Sequence, residues 1–244
     1  MTQEDRRNAA VSETVGYILL FGVVILSTGF IYAIGYPTLQ SNIDASIFES
    51  AEQSFIELQS SMERAAFDQT PMKVHKIKLQ NSAISVSNES SMTITYDSNQ
   101  TLFIPTGEIE FQKNNKILVY EMGAVIKSYP RKSMVMISES PIYVNTINNA
   151  TLTTIGLISV NGDNSVSGKG MATLNLKHNS SSMYRTSSPT NVTININSTH
   201  ASKWQEYLDD IGFSVTNSTS STVSADMNNT MLILSRHSVD VEIY

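Results

Sequence analysis

Histidines and carboxylates are where a chain without cysteine would carry chemistry, and here they are scattered. His75, His178, His200 and His237 show no H-x-x-x-H or histidine–carboxylate spacing, so any metal site would have to be assembled by the fold; none is expected. Asn161-Gly162-Asp163-Asn164 begins like a calcium loop but lacks the later ligands and the terminal glutamate, which leaves a surface turn. Gly168-Lys169-Gly170 lacks the strand and helix framing of a phosphate loop, and Asp209-Asp210 reads as a solvated helix end. Nothing local arranges Ser, His and Asp into a triad. The absence of Cys removes disulfides, thiolate ligands and cysteine nucleophiles together. The expectation is a protein with no catalytic residues, no metal and no cofactor.

The asparagines carry a different signal. N-x-[ST] acceptors stand at Asn88, Asn99, Asn149, Asn179, Asn191, Asn197, Asn217 and Asn228, all C-terminal to the apolar segment described next. They sit in a chain of 244 residues with only 16% charged residues, where Ser, Thr and Asn take the place of charge. With 16 Lys+Arg against 22 Asp+Glu the net charge is -6, so no basic field exists to hold a nucleic acid.

Val15 to Tyr36 contains no charged residue, and about 20 apolar residues at 1.5 Å each cross a hydrocarbon core of roughly 30 Å. This predicts one membrane span over residues 15–36 rather than a shorter secretory signal. Arg6 and Arg7 precede it and no Lys or Arg follows until Arg64, which places the N-terminus in the cytoplasm and the chain beyond residue 38 outside the cell. Gly22, Gly29 and Ala33 fall near one helix face, a low ridge against which lipid or a second helix could pack. Glu13 is a carboxylate at the span's edge, where water, a headgroup or a cation must receive it.

Beyond the span, Leu39, Ile43, Ile47, Ala51, Phe55, Leu58, Met62 and Ala65 or Ala66 recur in steps of three and four, with Asp44, Glu49, Glu52, Glu57 and Glu63 on the other face. The helix is predicted to run from about Val11 to Phe67, kinked near Pro37.

The segment Arg6-Arg7-Asn8-Ala9-Ala10-Val11-Ser12-Glu13-Thr14-Val15-Gly16, followed at once by the apolar run, resembles the N-terminus of archaeal type IV pilins and pilin-like proteins. Val11 to Gly16 is similar to their V-S-x-x-[IV]-G signature. The resemblance covers about the first quarter of the chain. It implies a cytoplasmic leader at residues 1–10 removed by a prepilin-type peptidase, and an apolar helix that packs with other subunits in a filament. Asn8 intervenes between Arg7 and Ala9, where the family places Gly or Ala directly after the basic residue. Cleavage after Ala9 or Ala10 suits a small residue, whereas cleavage after Asn8 would make Glu13 the fifth mature residue, matching the glutamate that pairs with a neighbouring subunit's N-terminus in bacterial pilins. The later part, including His200 to Leu208, is similar to ectodomains of a functionally uncharacterised archaeal pilin-like group.

From Met72 the period changes to two, as in Lys73 to Leu79 and Met92 to Tyr96, with further strands to the C-terminus and Asn114-Asn115 as a tight hairpin turn. Segments 161–170 and 178–190 read as loops. A single helix begins near Ser198 or Thr199 as cap, presents Trp204, Tyr207, Leu208 and Ile211, and stops at Gly212; Trp204 is assigned to packing.

The expected class is α+β: a kinked N-terminal helix over 11–70, transmembrane in its first half, packed on a mainly antiparallel extracellular β-domain over 71–244. That domain would be a sandwich or meander, with a β-solenoid as the alternative. The expected function is a non-catalytic, single-pass cell-surface glycoprotein, a pilus subunit or a minor membrane-resident relative that associates with itself or other pilin-like subunits. The alternatives are an anchored binding or adhesion module that never polymerises and an anchored extracellular hydrolase.

Overall fold

The computed structural model describes residues 3–97, 100–129, 133–148 and 150–244, with side chains from Thr14 onward except that of Ile147. The chain divides into two compact units, Met1–Ile47 and Phe48–Tyr244, and the division falls inside the first helix.

That helix, α1, runs Gln3–Phe67 and continues through Pro37. In the first unit its large apolar side chains are exposed, Ile18, Leu19, Phe21, Phe30 and Ile34 each by about two thirds. Two of its hydroxyls bond back to the helix: Thr28 and Thr38 donate to the carbonyls of Val24 and Ile34 at 2.8 and 2.9 Å, so each finds a partner without water. Among the described residues this is the one helix long and apolar enough to cross a membrane.

The second unit opens with the rest of α1, where the pattern of burial reverses. Phe48, Ala51, Phe55, Leu58, Met62, Ala65 and Ala66 are all buried. The dry stripe therefore begins at Phe48; Leu39 and Ile43, expected to share it, are exposed.

Among the described residues fifteen strands and a second helix follow in the order β1 (Lys73–Lys78), β2 (Ser82–Ser87), β3 (Ser91–Tyr96), β4 (Gln100–Pro105), β5 (Glu108–Lys113), β6 (Lys116–Glu121), β7 (Ala124–Ser128), β8 (Met134–Ser138), β9 (Ile142–Ile147), β10 (Ala150–Asn161), β11 (Asn164–Gly168), β12 (Met171–Arg185), β13 (Thr190–Asn197), α2 (Ala201–Asp210), β14 (Ser214–Ser218) and β15 (Thr222–Ile243). They form a nine-stranded sheet and a six-stranded sheet of order β11-β2-β5-β6-β7-β8, the latter ending in a β5–β8 meander. Among the described residues every strand pairing is antiparallel except β10 with β15. Hairpins and a crossing spine strand make this a two-sheet α+β domain rather than a solenoid.

β15 is that spine. Its first half pairs with β13 and β14, and its second half with β10 and β12. The strand runs on through Asn228 and Asn229, where a bulge shifts its register against β13 and Asn229 takes positive φ (51°). The loops expected at 161–170 and 178–190 also contain strand. Ser165 and Ser167 pair within β11, and Ser180 to Arg185 extend β12 along β15.

Two apolar cores result. One encloses Phe48 to Ala66 of α1 with residues from both sheets, including Phe111, Tyr120, Ile158 and Val241; the Phe55 and Phe111 rings meet edge-on at 6.3 Å. The other joins α2 to β3, β7, β10, β13 and β15. Adjacent residues divide between them: Val125 and Ile158 face the first core, Ile126 and Leu157 the second. β7 and β10 are thus dry on both faces over Ala124–Ile126 and Ile155–Val160, where buried residues follow one another instead of alternating with exposed ones. Gln59 of α1 donates to the carbonyls of Gly123 (2.8 Å) and Glu139 (3.1 Å), tying the helix to the six-stranded sheet.

Candidate functional site

The most polar feature of the interior grows from the β5–β6 hairpin. Its two-residue turn at Asn114-Asn115 forms as expected, with Asn114 at φ 54°. That turn sets the register, and the register places Glu108 directly opposite Glu121. Side chains alternate along a strand, so Leu118 and Tyr120 enter the α1 core while Val119 and Glu121 point to the other face. Glu108 follows Gly107, whose positive φ (59°) and close approach exclude a side chain: a Cβ there would lie 2.2 Å from the carbonyl oxygen of Val160.

The third member comes from the entry to α2. His200 is the N-cap of that helix, with no side-chain capping bond of its own; the caps expected at Ser198 or Thr199 are displaced by one or two positions. Ser198 instead accepts the His200 N–H at 2.9 Å and donates its hydroxyl to Glu121 Oε2, also at 2.9 Å. Trp204, one turn further along, donates Nε1–H to the same oxygen at 3.4 Å, and His200 Nδ1 lies 3.5 Å from it. Thr199 Oγ1 is 3.2 Å from that same ring nitrogen. Trp204 is fully buried, as its assignment to packing requires, and its ring meets Tyr207 edge-on.

Glu108, Glu121 and His200 are all buried, and one potential ligand atom from each lies within 4.8 Å of the others. Burial, then the charges of Glu121 and other nearby carboxylates, push the Glu108 carboxyl up to about 7, against a smaller opposing pull from His200. Burial pulls the His200 imidazole down, but its hydrogen bond and ion pair with Glu121, and the charges of Glu108 and Glu110, more than offset this and raise it overall. Glu121 Oε1 is buried without a hydrogen-bond donor. The arrangement can hold a proton or a cation. Spacing along the chain carries no sign of the third member, because His200 is distant from both glutamates and is delivered by α2.

The residues singled out in the sequence are distributed differently. Asn8, Ala9, Ala10 and Glu13 belong to α1, but their side chains lie outside the described residues, as do Asn99 and Asn149. Gly29 and Ala33 line a shallow apolar groove with Ile25, Leu26 and Phe30. At Gly22 and Gly29 an added Cβ would meet nothing within 4 Å. Asn88, Asn179, Asn191, Asn197, Asn217 and Asn228 are all exposed, and Asn197 and Asn217 share a polar cleft with Thr93, Asn195 and Ser224. Asn179 is engaged by Asp240 at 2.8 Å.

These features define a chain of one candidate membrane helix joined to a two-sheet β-domain. It belongs to a family of unknown function, DUF7289, whose family model matches residues 9–242 and so takes in helix and β-domain together. No curated protein and no solved structure matches the chain.

Proposed function

We propose that the chain is a non-catalytic, single-pass cell-surface protein of archaeal type IV pilin-like character, either a filament subunit or a minor membrane-resident relative, associating through its apolar N-terminal helix. One observation carries the reading: within a single continuous helix, the large apolar side chains of residues 15–36 are exposed while Phe48, Phe55, Leu58 and Met62 are buried in a β-domain. An exposed uncharged run of that length needs another apolar medium, and lipid or copies of the same helix supply it.

Arg6 and Arg7 favour retention of the N-terminus in the cytoplasm and export of the β-domain. Exposure of the six described N-x-[ST] asparagines is compatible with glycans on that outer domain. The groove at Gly29 and Ala33 allows close approach of a second helix, as filament packing would need. Leader removal at Asn8, Ala9 or Ala10 by a prepilin-type peptidase completes the proposal.

Mass spectrometry of the mature N-terminus from native membranes is the direct test, and loss of eight to ten residues is the expected result. An intact N-terminus would contradict pilin-type processing. Shearing of whole cells followed by electron microscopy then separates the two forms, because fibres containing the chain identify a subunit and their absence a resident anchor.

A further inference from the structure

We propose that Glu108, Glu121 and His200 bind one divalent transition-metal ion, which clamps the β5–β6 hairpin to the start of α2. The inference does not depend on the pilin reading.

Charge is the first reason. Two carboxylates face each other across a ladder in a buried setting, where like charges directly opposite are destabilising, and one imidazole can neutralise only one of them. A divalent cation balances both at once and leaves the imidazole neutral, its metal-binding form.

Geometry is the second. The three ligand atoms lie within 4.8 Å of one another. Ligands at about 2.0–2.2 Å from a tetrahedral metal stand roughly 3.4 Å apart, so side-chain movements of about an ångström close the site. Glu121 is already oriented from behind, with Ser198 and Trp204 both donating to Oε2, while its buried Oε1 has no donor. Hydrogen bonds that hold a carboxylate ligand in place are the usual companions of a metal site.

Ligand type selects the metal. One imidazole nitrogen with two carboxylate oxygens suits zinc and its first-row neighbours, whereas calcium and magnesium favour all-oxygen sets. Three protein ligands leave a further coordination position for water.

The test uses the full-length chain in detergent, stripped with chelator and titrated calorimetrically at pH 7.5 with ZnCl2 and separately with MgCl2. One equivalent of Zn2+ should bind and raise the melting temperature, with no comparable response to Mg2+. Glu108→Gln, Glu121→Gln and His200→Gln should each weaken Zn2+ binding at least about tenfold, while His178→Gln leaves it unchanged. Glu108→Gln guards against misfolding, since removal of a buried like charge should leave the metal-free chain folded by circular dichroism. Co2+ added to the wild type should give a visible absorption spectrum of nitrogen–oxygen ligation that His200→Gln lacks. Absence of Zn2+ binding, equal response to Mg2+, or binding that survives these substitutions would overturn the proposal.

Discussion

Glu108 and Glu121 stand opposite each other on adjacent antiparallel strands, and both are buried. Their surroundings are unequal: Glu121 Oε2 is approached by Ser198, Trp204 and His200, whereas Glu108 accepts from the Ser87 hydroxyl at a long 3.4 Å. The two should therefore respond oppositely to loss of charge. With chelator present at pH 8, Glu108→Gln should stabilise the chain by about 1–3 kcal/mol by removing a poorly supported buried charge. Glu121→Gln should destabilise it by about 1–3 kcal/mol, because an amide replaces the carboxylate oxygen that the Ser198 hydroxyl, the Trp204 indole and the His200 ring all face. Urea denaturation of both variants checks the opposite signs.

The two parts of α1 should differ as sharply. Phe55 is fully buried against Phe111, so Phe55→Ala should remove about 3–5 kcal/mol from the β-domain's stability. Phe21 is 66% exposed, and Phe21→Ala should leave the same unfolding transition within about 0.5 kcal/mol. Thermal or urea unfolding followed by Trp204 fluorescence reads the β-domain selectively.

Gln59 is a buried amide whose partners are the main-chain carbonyls of Gly123 and Glu139. Replacement by Leu keeps the bulk but strands both acceptors, at a cost of about 1–3 kcal/mol. Amide exchange of β6 and β7 should speed up with it; unchanged protection would show that the carbonyls find other donors.

Acid sensitivity should come from two other histidines. Burial holds His75 below its ordinary value against the pull of the Ser54 carbonyl and Glu57. Burial likewise holds His237 down, with His178 adding to the effect and the Ala66 carbonyl opposing it; Ser181 contacts its ring at 2.8 Å. Below pH 6.5 the unfolded chain takes up protons that the folded chain resists, so their contribution is present above pH 6.5 and lost as pH falls through the depressed folded values. His200 runs the other way, its contribution fading as pH rises through a raised value. The double variant His75→Gln, His237→Gln should lose less stability than wild type between pH 7 and 5, measured by urea denaturation with chelator. Equal losses would contradict the assignment.

Much of the architecture was legible wherever side-chain pattern and backbone agree. The uncharged run of 15–36, the three-and-four spacing from Ala51 to Ala66 and the Asn114-Asn115 turn each announce their element. The pattern failed where pairing is driven by the backbone. Ser180 to Ser182 show no apolar alternation, yet they extend β12 because β15 offers a ladder. Ser165 and Ser167 join β2 in the same way. The polar cluster was half legible: a two-residue turn at 114–115 already pairs Glu108 with Glu121, and a glutamate in phase with Val119 is anomalous on an apolar strand. What no spacing could reveal was His200, which reaches them only through the packing of α2.

The central claim is that residues 15–36 hold the chain in lipid. Alkaline carbonate extraction of membranes from cells expressing the full chain tests it most directly, alongside a variant carrying Leu19→Arg, Val23→Arg and Leu26→Arg. The wild type should remain in the pellet and the variant should be lost from it. A wild-type chain released into the carbonate supernatant as a folded, monodisperse protein, with residues 15–36 protected from protease, would contradict the account.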